Sequence, residues 1–437
     1  MNVLSAIKLF YFFYSVYTLF VVSVSNYKLS HAICGLVAIW VVFLAYNLGF
    51  KSVKQNNISD NNVLTPPKSV YNNVIEWRPR TYFFHVVLSW FCSIASARFY
   101  TGLSLIQTIR HLMAGTSLYA IYQSYFHNMS IATFSLAKIP FVLMLTYLTV
   151  ILFVSFLGIF MAERKPTIPH YIYLVFIALA YYFFGMSRGT NFEMYIIFVL
   201  LAYCFLCRYS KGLSRAEMRK KIYSAVIWVA ILGFVAIGIF RVVLTIRGSV
   251  FRNDICTEIQ FDSNSIISKV FPDITNIGLS VFSYLGYGIY TIGVTIVEII
   301  FPSVLNIFLV QFPGLYELLR DQTLSEALYK TIDVGVHWVP DWINFTGALG
   351  FPLFLGFMYV LGRVTSKCYV IGIPTLLLNL VCSLNFLFML SIPVGNFIFT
   401  STPNVGLLVF VLLWYIRHRH FRITIKSSAS LKGKTKI

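Results

Sequence analysis

The sequence predicts an all-α fold: a polytopic transmembrane helical bundle of about ten to twelve spans with one large extracytoplasmic loop. Three observations predict it. Of 437 residues, 58% are hydrophobic and only 11% charged, whereas about a quarter of a soluble domain is charged. The mean hydropathy of +0.77 belongs to chains solvated by lipid. The apolar runs are helix-length rather than alternating ten-residue segments, which favours helices that satisfy their own backbone over a barrel.

Charge sets the expected orientation. The formal balance is +19, but Lys and Arg are spread between apolar runs and in a short tail, as topology determinants are. No module that reads nucleic acid is visible, so nucleic acid is not an expected partner. Lys8 precedes the first apolar run and no small-residue cleavage site follows, which predicts a retained first span over 6–24 rather than a removed signal. A second span is expected at 32–50 after a short polar turn. Residues 51–80 are Asn-rich, contain Pro66 and Pro67, and carry Lys51, Lys54, Lys68, Arg78 and Arg80. The positive-inside rule makes them cytoplasmic and both termini with them.

The third span, 81–97, exits toward Arg98, and the fourth returns over 139–161. Between them, residues 99–136 are aromatic and semi-polar, with Arg110 and His111, and suit an external in-plane helix. The fifth and sixth spans, 171–185 and 192–207, read as short for a hydrocarbon core that takes around twenty residues. A tight link between short spans holds Arg188 at or below the outer interface. An ionisable group costs roughly 2.5–3.5 kcal/mol at the bilayer centre and less near the edge, so such an arginine is a functional candidate. Cys204 and Cys207 form a C-x-x-C inside the sixth span, without the surroundings of a redox motif, and read as core filler. Ser214-x-x-Glu217 is a capping box opening a seventh helix that runs to about 246, with Arg241 near its outer end.

Residues 247–345 form the predicted working face, dividing the chain into N-terminal transmembrane helices (1–246), this extracytoplasmic region, and C-terminal transmembrane helices with a basic tail (346–437). Ten of the fifteen acidic side chains lie in it. Its apolar part, 277–312, is long enough for two short spans or a re-entrant pair, and Thr323-x-x-Glu326 is a capping box for a short external helix. Spans at 347–362, 369–390 and 405–416 follow, with Arg363 and Lys367 in a cytoplasmic link. No internal repeat is present.

Positive charge should be depleted on the outer side, so Arg98, Arg110, Arg188, Arg241, Arg247, Arg252 and Arg320 are informative. A guanidinium offers a planar fork to phosphate or carboxylate oxygens, and several together suit an anionic lipid-linked substrate. Pairing with the loop's own acids, or snorkelling to headgroups, is the structural alternative. Glu193, just past the tight link, would serve as such a partner for Arg188. His337, with Asp333 and Asp341 nearby, has the composition of a general base with orienting carboxylates, or of a satisfied surface histidine. Trp338 and Trp342 suit stacking on sugars or an interfacial belt. Glu298, flanked by Val297 and Ile299, is expected to be functional or ion-paired. No metal, P-loop or dinucleotide signature is present, so no cofactor is expected and the chemistry should be metal-free.

The pattern resembles the bacterial O-antigen and oligosaccharide repeat-unit polymerases, which are related to the O-antigen ligases. The likeness rests on Ser187-Arg188-Gly189-Thr190-Asn191 opening an apolar helix, on the outward loop before the last three spans, and on His337-Trp338 followed by Gly347-Ala348-Leu349-Gly350. Where the ligases place a small polar residue after the loop histidine, this chain has Trp338. The resemblance implies a multi-pass protein of the bacterial inner membrane, with its active face periplasmic. It would transfer a growing glycan from undecaprenyl diphosphate onto a lipid-linked repeat unit, with a chain-length regulator protein as a further partner. Arg188, Arg241, Arg247 and Arg252 would then hold diphosphate, His337 or Asp341 would take the acceptor's proton, and Trp338 and Trp342 would carry sugar. The rivals are a flippase for lipid-linked oligosaccharides and the O-antigen ligase.

Overall fold

The first two apolar runs form a helical hairpin with almost no link: α1 (Val3–Val24) and α2 (Leu29–Lys51) are joined through four residues. The computed structural model describes residues 3–53, 79–128, 136–161, 166–190, 192–209, 259, 262, 264–300, 350–371, 375–394 and 404–417, and among them there is no strand. Among the described residues five helices are long and apolar enough to cross a membrane. The fold is therefore that of a multi-pass helical membrane protein.

α3 (Pro79–Thr101), α6 (Ile139–Met161), α7 (Ile168–Ser187) and α8 (Phe192–Tyr209) complete the first half, with the short helices α4 (Leu105–Met113) and α5 (Leu118–Asn128) between α3 and α6. α3 and α7 run in the same direction: Tyr82 stacks on Tyr173, the Ser93 hydroxyl donates to the Ala180 carbonyl at 2.6 Å, and Tyr100 meets Phe184. Their C-termini share one end of the bundle with the α1–α2 turn, called the distal end below. At 20 residues α7 spans a full core thickness, so the expectation of a short fifth span is corrected. Pro169 and His170 read as loop, yet proline suits the first helical turn and the Thr167 N–H donates to His170 Nδ1 at 3.3 Å.

The region that allowed either two spans or a re-entrant pair forms, over the residues described, a hairpin that enters and leaves at the distal end. α9 (Ile266–Val270), α10 (Pro272–Leu285) and α11 (Tyr287–Val294), with a π-turn at Thr295–Ile300, compose it. It begins beside the end of α1, where the Asp262 N–H donates to the Val24 carbonyl at 3.1 Å and the Ser265 hydroxyl to Ser23 at 2.9 Å. It then descends: the Tyr17 hydroxyl donates to Gly278 at 2.5 Å and that of Tyr14 to Leu285 at 2.7 Å. From Val24 to Tyr14 is ten residues, about 15 Å of helix, which puts the tip near half the depth of a ~30 Å core. The chain climbs back along α2, with Ile289 against Gly35, Gly293 against His31, and Glu298 beside Lys28.

α12 (Gly350–Ile371) occupies the remainder of that face of α2. Tyr359 lies against Gly49, and Gly362 against Tyr46 and Phe50. Gly35 and Gly49 are fourteen residues apart, about 1,400° of rotation and so only 40° short of four full turns, which puts both on one stripe of α2. A glycine stripe lets backbones approach closely where no hydrophobic force acts between helices. Arg363 and Lys367, expected in a cytoplasmic link, lie inside α12 and are exposed. Both residues favour helix, so their charge did not end α12.

α13 (Thr375–Ser391) also stops well inside the bundle, and a helix at Asn404–Arg417, α14, follows it. Helix ends at this depth leave carbonyls that lipid cannot solvate. Tyrosines of α1 supply the donors: Tyr11 to Met389 at 2.7 Å, and Tyr14 within 3.3 Å of Pro393 as well as bonded to Leu285. Tyr14→Phe is expected to cost about 1 kcal/mol, in line with hydrogen bonds inside membranes, measured by thermal unfolding in detergent. An unchanged midpoint would show that these carbonyls do not rely on the hydroxyl.

Candidate functional site

The Arg188 turn is built by the local sequence. The Gly189 N–H donates to Met186 at 2.9 Å and the Thr190 N–H to Gly185 at 2.9 Å, the two bonds of a Schellman ending of α7. Gly189 sits at φ +65°, left-handed backbone that favours glycine. A Cβ there would lie 2.7 Å from the Tyr119 backbone nitrogen. The same glycine thus ends α7 and admits α5 over the turn.

Arg188 is the residue before that glycine, and its side chain folds inward. One guanidinium nitrogen, Nη2, pairs with Glu193 Oε1. Thr190 Oγ1 lies 2.9 Å from the other carboxylate oxygen and 3.1 Å from the Gly185 carbonyl. The guanidinium carbon stands 4.1 Å from the Phe184 ring centre and 5.7 Å from that of Tyr122, both within cation–π range. Glu193 is 1% exposed and the Arg188 side chain 18%. Glu193 falls in the first turn of α8, where the unpaired N–H groups favour a carboxylate. Nε of Arg188 is buried and has no hydrogen-bond partner among the described residues.

The anticipated pairing of Arg188 with Glu193 is therefore present. Burial comes from the α5 roof and the aromatic neighbours rather than from short spans. Nothing in the sequence singled out Tyr122 or Tyr119, beyond the general aromatic bias of 99–136. Arg241, Arg247, Arg252, Arg320, His337, Trp338, Asp341 and Trp342 lie outside the described residues, as do the helix expected to end near 246 and the Thr323 capping box. Cys204 and Cys207 are both buried and unbridged, packed among apolar side chains.

A second polar cluster marks the same end of the bundle. Glu298 Oε1 is 3.1 Å from Lys28 Nζ and 3.1 Å from His31 Nε2. The carboxylate is 47% exposed, so of the two expectations for Glu298 the ion pair is what forms. It ties the π-turn to the first residues of α2 across 270 positions of sequence, a separation no local pattern reveals. Exposed pairs contribute little to stability, so its effect is chiefly on position.

The fold defines a helical membrane protein with a buried, ion-paired arginine at one face. Comparison with family models, curated proteins and solved structures finds no match to this chain.

Proposed function

We propose that the chain polymerises lipid-linked oligosaccharide repeat units at the periplasmic face of the bacterial inner membrane, using a donor carried on undecaprenyl diphosphate. One observation carries this reading: Arg188 is held by Glu193, by Tyr122 and by an aromatic stack, while a further buried guanidinium donor, Nε, has no hydrogen-bond partner among the described residues. A buried donor without a partner costs free energy that an anionic oxygen could recover. The acceptor hydroxyl attacks the anomeric carbon, the sugar–phosphate bond breaks, and the diphosphate leaves with its charge stabilised by arginine. Arg241, Arg247 and Arg252 are the further cations of this proposal, His337 or Asp341 the proton acceptor, and Trp338 and Trp342 the sugar platform.

The test is a gene deletion read on a gel of surface glycolipids. Caps of one repeat unit support polymerisation. Bare core with polymer still lipid-linked would indicate the O-antigen ligase, and lipid-linked units retained facing the cytoplasm a flippase. Complementation with Arg188→Lys separates charge from fork, since Lys keeps the charge beside Glu193 but loses planar bidentate binding. Loss of one preorganised donor typically lowers turnover 10²- to 10³-fold, so at normal abundance the ladder should collapse toward single units. Full ladders would remove Arg188 from the reaction.

The flippase reading also has an observation behind it. Helices that break off at mid-depth, as at Leu285 and Ser391, are a recurring feature of transporters, although their paired repeats are not seen in this sequence.

A further inference from the structure

The short helix α4 presents a flank that the other described residues do not cover. Ile106 is 70% exposed and Met113 85%, with Ile109 also exposed. At 100° per residue these three fall within about 60° of the helix circumference. Arg110 and Gln107, both exposed, fill the next 100° or so on the other side, while Thr108, buried against the protein, lies roughly opposite Ile106. The helix thus has three sides: one on the protein, one apolar and one polar.

We propose that α4 lies in the plane of the membrane surface, its Ile106–Ile109–Met113 flank inserted among the acyl chains of the adjacent leaflet and Arg110 at the lipid phosphates. Three features of the fold identify lipid as the occupant. α4 begins four residues after α3 ends at Thr101, so it is held at the level where a span leaves the membrane. Arg98, exposed in the last turn of α3, adds a second cation at that level, as anionic headgroups require. Ile106 and Met113 are seven residues apart, about 10.5 Å along the axis. Both can reach one depth only if the axis lies nearly parallel to the surface, the arrangement of interfacial helices. The capping box of Ser104 and Gln107 fixes the start of the helix, and the His111–Thr116 hydrogen bond of 2.8 Å braces its link to α5. Since α5 carries Tyr119 and Tyr122 onto the Arg188 turn, the cover over that arginine is seated on lipid. The inference rests on the membrane fold alone and stands whether or not the polymerase reading does.

Spin labels on Ile106→Cys, Met113→Cys and Gln107→Cys, in a background with the native cysteines replaced by alanine and reconstituted in nanodiscs with anionic lipid, test it. Collision with oxygen should exceed collision with a water-soluble nickel chelate severalfold at 106 and 113, and the order should reverse at 107. Equal ratios at the three positions, or a reversal at 106 and 113, would overturn it. If that background does not fold, Met113→Trp and Gln107→Trp in the otherwise native protein give the same answer with lipids brominated near the headgroup end of the chains. The fraction of tryptophan emission quenched should rise above the native protein's for Met113→Trp and fall below it for Gln107→Trp. No difference between the two would equally overturn the proposal.

Discussion

Glu193→Ala is expected to destabilise the protein by about 3–5 kcal/mol, the usual cost of removing one partner of a buried ion pair. The carboxylate is almost wholly enclosed and the guanidinium mostly so, and the truncation leaves Arg188 charged among Phe184, Tyr122 and the end of α7. Arg188→Ala should cost a similar amount, because it strands Glu193. The double variant Arg188→Met with Glu193→Leu should recover most of the loss, since an apolar pair of similar volume removes both desolvated charges. Thermal or denaturant unfolding of the native protein, Arg188→Met, Glu193→Leu and the double variant closes the cycle and gives the coupling energy directly. Additive losses, with no recovery in the double variant, would mean that the two side chains do not act as a pair. The cycle also bears on function: a double variant that is stable but yields no polymer would separate a chemical role of Arg188 from its structural one.

Gly293→Val should do comparable damage by steric means. A Cβ at 293 would overlap the backbone carbonyl of His31, and backbone inside a helix cannot rotate away as a side chain can. Overpacking of this kind costs about 1–3 kcal/mol and sometimes more, and here α11 must leave α2, which also separates Glu298 from Lys28. Gly158→Ala is the control, because nothing stands within 4 Å of a Cβ at that position. The expected result is a lowered unfolding midpoint for Gly293→Val, with new protease cleavage between residues 264 and 300, and little change for Gly158→Ala. Protection of that segment in the valine variant would show that the hairpin is not held by this contact.

How much of this was legible beforehand follows from the range of each interaction. Helix placement depends on apolar length, and α1, α2, α3 and α6 lie close to where runs of hydrophobic residues predicted them. The limits of α7 and α12 were misjudged because Pro169, Arg363 and Lys367 carry loop-like composition while sitting comfortably in helix. The tight turn after Ser187 is a local event, fixed by Gly189, and its arginine stood out for the same reason. Pairs such as Lys28 with Glu298 or Tyr14 with Leu285 depend on tertiary approach over hundreds of residues and have no signature in either partner. The half-depth hairpin was one of two options because its apolar length could not distinguish crossing from returning. Its glycines at 288 and 293 carry that information, and they do so only once Pro393 and α2 are seen beside them.

The bonds from Tyr11 to Met389 and from Tyr14 to Pro393 join the first helix to residues made 378 and 379 positions later. At the usual pace of synthesis, about 5–20 residues per second, α1 spends roughly 20 to 75 s in the bilayer before those acceptors exist. During that interval its phenolic groups need temporary company from water, lipid ester oxygens or an insertion factor. Closure of the bundle is thus deferred to the end of translation, and a nascent chain halted before residue 389 would remain unlatched however well its earlier helices had inserted.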